Sequence, residues 1–458
     1  KPKFTQQKQR KMSQINLKKN IVTSGSFRIV ILILSFLISW ISARYLGLTL
    51  KGEYSYLITL GGFIWMILDW GIFRSYPYLV RKYPDEVKTM FGWTILTMFL
   101  ELLIFSCLGI VFLDFWSKLI GYPLTPAKMI LLIMFISFNK AFMQLQAIYM
   151  GMDRILENSL AHFLSSAIFF VLLLIGYFAL LEVDKINAVM VFTVAGLISS
   201  IIYLVLRTKW TNWYKQLNFK LVKLFYSYGF RVFLSSLFIM LLIRADIVII
   251  KHFLDFKEVG IYSMAAHIVD FIQIASNLVG GLLFVKLSDI DDDISKWLLL
   301  KKTLLLFFFF ITLANLGFGL LGKFIMRIMF GVQFVPVYYV YFWLMPAVYG
   351  LSFGSLFNNY LNSKGFPIIS IILPAVALVI NIGLNLWLIP VMGINGAALS
   401  SSFSYFLWFI LIVYFEQKDS QGKMLKYLLP TRKDIIDLWQ ETMADLKGLG
   451  EKFLHKTA

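Results

Sequence analysis

The residues with chemical potential in this chain are charged groups set inside apolar runs. The stretch from Gly25 to Arg44 is greasy enough to lie in a bilayer, yet it holds Arg28 about one turn in. A charge at the centre of a membrane helix costs roughly 2.5 to 3.5 kcal/mol on insertion scales, less near the interface. Arg28 therefore either pairs with a carboxylate, for which Asp69 is placed, or faces a wet cavity and handles an anion. Projected at 100° per residue, Ser24, Arg28, Ser35, Ser39 and Ser42 fall within about 80° and make one polar stripe. Serines of this kind also serve close helix packing. A second polar face, Ser263, His267, Asp270, Gln273 and Asn277, covers about 120° of a later span. Lipid would not tolerate it, so it faces protein or water. His267 and Asp270 are spaced i, i+3 and both can titrate, which suits either proton coupling or a structural hydrogen-bonded network. Glu101 and Lys140 sit near the middles of neighbouring spans, where a buried ion pair is the simplest reading. Lys140 also shares a helix face with Ser137 and Gln144, which leaves a cavity role open.

Composition narrows the chemistry further. Of 458 residues, 59% are hydrophobic and 15% charged, and the mean hydropathy is +0.77, which is a polytopic membrane protein. The net charge of +18 is scattered between apolar spans and not gathered on a polar domain, which argues for topology and against nucleic acid. With Cys107 alone, no disulfide can form within the chain. The four histidines form no metal-protease pair, and neither a Walker loop nor a G-x-S-x-G elbow occurs. The run SDIDDDIS at 288–295 lacks the turn glycine and distal glutamate of a calcium loop and reads as a solvated cap of the next helix. No cofactor or metal is expected.

The elements that must position these residues are twelve apolar spans, near 20–45, 53–74, 89–113, 127–150, 158–181, 186–206, 227–251, 259–286, 296–321, 335–358, 366–388 and 393–416. Pro84, Pro123, Pro126, Gly322, Gly365, Pro367 and Pro390 fall near the junctions. With the N-terminus in the cytoplasm, that side collects roughly 30 basic residues and the other roughly 9, so both termini are cytoplasmic by the positive-inside rule. Residues 1–19 form a basic tract with no signal-peptidase site; residue 1 is lysine, and Met12 is a candidate native start. The basic, aromatic connection 207–226 reads as an interfacial helix dividing the chain into six-span halves, 20–206 and 227–416. The tail, 417–458, carries Ile435, Ile436, Trp439, Met443, Leu446, Leu449 and Phe453 at helical spacing, an interfacial or docked amphipathic helix. GSFR at 25–28 is echoed by GFR at 229–231, and KGEYS at 51–55 by VGIYS at 259–263. An even number of spans per half gives a parallel repeat, two six-helix lobes related by a pseudo-twofold along the membrane normal.

Four strings then carry a family likeness: ARYLGLTLKGEYS at 43–55, LDWG at 68–71, RADIVIIKHFLDFKEVGIYSMAA at 244–266 and NIGLNLWLIPVMGINGAA at 381–398. Together they resemble the polysaccharide transporter branch, with the Wzx-type O-antigen flippases, of the multidrug/oligosaccharidyl-lipid/polysaccharide exporter superfamily. The resemblance implies an all-α inner-membrane flippase, not an enzyme. Its cargo would be undecaprenyl-diphosphate-linked oligosaccharide, moved from the cytoplasmic to the periplasmic leaflet by alternating access and driven by an ion gradient (H+ or Na+) or the membrane potential. Other polysaccharide-assembly membrane proteins are expected partners. A diphosphate crossing hydrocarbon needs compensating cations, and arginine matches phosphate geometry best. On this reading Arg28, Arg231, Lys140, Ser35, Ser39, Gln273 and Asn277 bind the headgroup. Asp270, His267, Asp69 and Glu101 couple the ion, and Arg244 and Asp246 gate the outer mouth. Two alternatives share the fold, a cation-coupled drug exporter and a lipid II exporter. A membrane glycosyltransferase or polymerase ranks below them, because the longest outer loops run to only about 15 residues.

Overall fold

The computed structural model describes residues 2–179, 184–207, 219–364 and 368–441; within them, the side chains of 2–26, Arg28, 219–221, Tyr228, Arg231 and Val285 lie outside the description. The described chain is helical throughout: α1 (Pro2–Asp69), α2 (Ile72–Lys82), α3 (Val87–Val111), α4 (Leu113–Leu119), α5 (Pro126–Gly151), α6 (Ile155–Phe178), α7 (Lys185–Arg207), α8 (Phe219–Phe253), α9 (Phe256–Ser288), α10 (Asp293–Ile325), α11 (Val335–Ser363), α12 (Ile369–Met392), α13 (Ile394–Asp419) and α14 (Met424–Leu428). A last helix, α15, covers 432–441. Eleven described stretches are long and apolar enough to cross a bilayer. One of these, Ile29–Asp69, has 41 residues, about twice the length a crossing needs. It is broken at Gly47, whose φ of 72° and ψ of −176° leave the helical region. Twelve crossings follow among the described residues, and the protein is an all-α membrane protein.

Several boundaries differ from the sequence reading for identifiable reasons. The connection between the first two spans is the single kink at Gly47, because a residue without Cβ takes the positive φ at little cost. The second span stops at Asp69, where Trp70 and Gly71 adopt φ of 52° and 78° and start the separate helix α2. Pro390 lies inside the last turns of α12. Residues 219–226 are the first turns of α8, while 208–218 of the expected interfacial linker and 442–458 of the tail are outside the described residues. Asp292 caps α10, accepting from Ser295 N at 2.8 Å and Ser295 Oγ at 2.7 Å. Those bonds hold its carboxyl below the ordinary range, as expected for an anion at a helix start.

The chain folds as two compact units, one of Lys1–Ile261 with Met329–Gln333, the other of Tyr262–Ile328 with Phe334–Ala458. In the first, both arms of α1 pack on α6 and α7 through Tyr45, Leu46, Leu173 and Val189, with Ile38, Leu50 and Tyr54 around them. In the second, α11 presents Gly350 and Gly354 one turn apart to α13. A Cβ at Gly350 would lie 2.6 Å from Phe406 N, and one at Gly354 would lie 2.7 Å from the Trp408 ring. Small residues four apart let two membrane helices approach closely.

Candidate functional site

Each unit holds a polar array, buried in the first and partly exposed in the second. In the first, α5 turns Ser137, Lys140 and Gln144 to one side, and all three are buried. Lys140 Nζ pairs with Glu101 Oε1 on α3 and lies 3.4 Å from Thr97 Oγ1. Gln144 Nε2 donates to Asp69 Oδ1 at 2.8 Å. The Asp69 carboxylate also accepts from Phe73 N at 3.2 and 3.3 Å, so it fixes the first turn of α2. Beside it Tyr76, fully buried, donates to the Met90 carbonyl at 3.2 Å and meets Thr94 Oγ1 at 3.4 Å. The array thus holds two carboxylates, Asp69 and Glu101, and two cations, the Lys140 ammonium paired with Glu101 and the Arg74 guanidinium in electrostatic contact with Asp69. In a low-dielectric interior charges held this close depend on one another, so gaining or losing one proton or cation changes the energy of the whole array.

In the second unit the polar face of α9 meets α11. His267 Nδ1 and Asp270 Oδ2 are 3.3 Å apart, both part-exposed. Gln273 Oε1 accepts from Ser352 Oγ at 3.0 Å, and Gln273 Nε2 approaches Asn277 Oδ1 at 3.4 Å. Ser355 Oγ reaches the same Asn277 oxygen at 3.4 Å, and Asn359 Nδ2 donates to the Ser355 carbonyl at 2.9 Å. The result is a ladder of uncharged carboxamides and hydroxyls, with exposed Asn277 as its most accessible rung.

The remaining sequence candidates are dispersed. The side chains of Arg28 and Arg231 lie outside the described residues. Ser35 is half-buried and donates to its own helix, to the Ile31 carbonyl at 2.8 Å; Ser39 is half-buried, and its carbonyl accepts from Ser42 Oγ at 3.1 Å. Asp246 is buried and Arg244 half-buried on α8; both are engaged in interactions. Sequence reasoning passed over Tyr76, Ser352, Ser355, Asn359 and Lys51. Lys51 was read as a loop residue, yet it is buried and donates to Ser42 Oγ at 2.8 Å. Only the positions of Ser352, Ser355 and Asn359 at i, i+3 and i+7 on one apolar span offered a signal for the α11 rungs.

The sequence profile described as polysaccharide biosynthesis protein matches residues 17–284, more than half of the chain and both arrays' first helices. The chain belongs to that family. The chain is also 26% identical over 230 residues to an uncharacterized membrane protein of Methanocaldococcus jannaschii, a match that spans 48% of this chain and 44% of that one. Among solved structures, its fold is similar to the lipid II flippase MurJ in an inward closed conformation, with a TM-score of 0.71 at 14% identity over 93% of each chain. It is also similar to an inward-facing multidrug resistance MATE family transporter of the MOP superfamily, with a TM-score of 0.66 at 14% identity over 88% of this chain and 98% of that one. The fold is that of membrane flippases and transporters.

Proposed function

We propose that this member of the family is a flippase for undecaprenyl-diphosphate-linked oligosaccharide, working by alternating access of its two six-span halves in the bacterial inner membrane with both termini in the cytoplasm. The α9–α11 ladder carries the reading. Asn277, Gln273, Ser355 and Asn359 offer neutral donors and acceptors on spans that lipid cannot solvate, the chemistry that replaces water around sugar hydroxyls. Arg28 and Arg231 are the guanidinium groups we assign to the diphosphate. The buried Asp69–Lys140–Glu101 array is the first candidate for the coupling ion, and the His267–Asp270 pair is the second.

Reconstitution into proteoliposomes with a defined polyprenyl-diphosphate sugar tests this directly. Leaflet transfer should be protein-dependent and accelerated by a proton or sodium gradient, and Asn277→Ala with Asn359→Ala should slow it at normal protein levels. Absence of transfer for this cargo, together with export of a cationic dye, would replace the reading with the drug exporter. Lipid II, the cargo named for the MurJ structure, is the second reading on the strength of the shared fold. It predicts transfer of a lipid-linked peptide-bearing sugar in preference to a plain oligosaccharide.

A further inference from the structure

Helix α15, residues 432–441, presents three faces to three different surroundings. At 100° per residue, Asp434, Leu438 and Glu441 share one face. Leu438 is 7% exposed, Asp434 Oδ1 accepts from Lys301 Nζ at 2.7 Å, and Glu441 Oε2 pairs with Lys302. That face is docked on the early turns of α10. Thr431 sets the start of the helix: its backbone N and Oγ1 donate to Asp434 Oδ2 at 2.7 and 2.6 Å, and Asp434 N returns a bond to Thr431 Oγ1 at 3.3 Å. This reciprocal cap fixes the rotation of α15 about its axis. The adjoining arc, roughly 100° wide, carries Ile435, Trp439 and Ile436, which are 41%, 64% and 45% exposed; exposed Arg432 of the first turn projects into the same arc, at the end where its long side chain can reach the headgroups. The opposite arc holds Lys433, Asp437 and Gln440, all exposed.

The occupant of the apolar arc follows from where α15 is held. On α10, Leu298, Phe309, Leu313, Leu316 and Leu320 are all exposed and fall within about 60° of one another, with Lys302 in the middle of that stripe. On a membrane-spanning helix an exposed leucine and phenylalanine stripe is the lipid-facing side. Lys302 therefore ties α15 beside the lipid, where the stripe begins. Charge agrees, since Lys418, Lys423, Lys426, Arg432 and Lys433 are all exposed around the same segment. An apolar arc, a polar arc and clustered cations are what an interfacial helix on an anionic leaflet requires.

We infer that α15 is a membrane-surface anchor, with Ile435, Ile436 and Trp439 set into the acyl boundary and the surrounding cations on anionic phospholipid headgroups. The inference is independent of the cargo. It is tested on the full chain carrying Cys107→Ser and a single nitroxide at Ile436→Cys or Gln440→Cys, in vesicles of phosphatidylethanolamine with phosphatidylglycerol. The label at 436 should collide more with oxygen than with a water-soluble nickel chelate, and the label at 440 the reverse. Both substitutions leave the docked face intact. Chelate preference at 436 would overturn the anchor. Exchange of the lipid for phosphatidylcholine, or Lys426, Arg432 and Lys433→Gln together, should shift the 436 label toward the chelate. A label indifferent to both changes would overturn the anionic headgroup contact.

Discussion

Gly52 and Gly260 meet face to face. A Cβ built on Gly52 would overlap the Phe256 carbonyl oxygen and lie 2.6 Å from Gly260 N, and one built on Gly260 would overlap the Leu48 carbonyl oxygen and lie 3.3 Å from Gly52 N. The contact is reciprocal, each glycine meeting its opposite number and the carbonyl four residues before it. These are also corresponding positions of the echoed KGEYS and VGIYS strings. In an ordinary exposed helix Gly→Ala gains up to about 1 kcal/mol. Here Gly52→Ala or Gly260→Ala should instead lose about 1 to 3 kcal/mol through overpacking, read as a lowered thermal transition in detergent. An unchanged or raised transition would show that the two backbones do not touch.

Lys140 and Glu101 are buried together, with side chains 3% and 13% exposed. Removing one partner leaves a charge stranded, so Glu101→Gln or Lys140→Met should each destabilise by about 3 to 5 kcal/mol. The double variant Lys140→Met with Glu101→Leu should recover most of that loss. A double-mutant cycle on thermal unfolding gives the coupling, and additive losses would mean that the pair is not formed.

Asp69 separates two roles cleanly. Asn keeps an oxygen for Phe73 N and Gln144 but drops the charge, whereas Ala drops both. Asp69→Ala should cost about 0.5 to 2 kcal/mol through the lost cap, and Asp69→Asn less. If Asp69 takes up the coupling ion, Asp69→Asn will fold normally and transport at a rate indifferent to the ion gradient. A retained gradient response assigns Asp69 to the cap alone.

Docking of α15 should respond to acid. Hydrogen bonds from Lys301 and Thr431 hold the Asp434 carboxyl down at about 2, against an ordinary value of about 4. A depressed folded pKa stabilises above the unfolded pKa, and that contribution fades as pH falls from about 4 toward 2. Mobility of a nitroxide at position 435 should therefore rise over that window in the Cys107→Ser chain. Adding Asp434→Asn should raise it at neutral pH and leave only the smaller response of the Glu441–Lys302 pair to acid.

Much of this was legible in the order of residues. Apolar runs of bilayer length give helices because every backbone group must find its partner within the segment, so most spans fell close to their helix bounds, while the first and seventh, read from 20 and 227, belong to helices that begin at Pro2 and Phe219. Charges inside such runs are rare, which is why Asp69, Glu101, Lys140, His267 and Asp270 stand out in the sequence. The i, i+3 spacing of His267 and Asp270 placed both on one side of a helix, and their side chains meet there.

What the chain order left open was every relationship between helices. Nothing in the sequence says that Asp69 reaches Gln144, that Tyr76 and Thr94 lie beside that carboxylate, or that Ser352 and Ser355 complete the face begun by Gln273 and Asn277. Lys51 looked like a loop residue because a single glycine can replace a loop only where φ becomes positive, and hydropathy does not report φ. Helical periodicity depends on residues a few positions apart and is written locally. Partner choice between spans depends on shape and close backbone approach over tens to hundreds of positions, and only the packed tertiary structure fixes it.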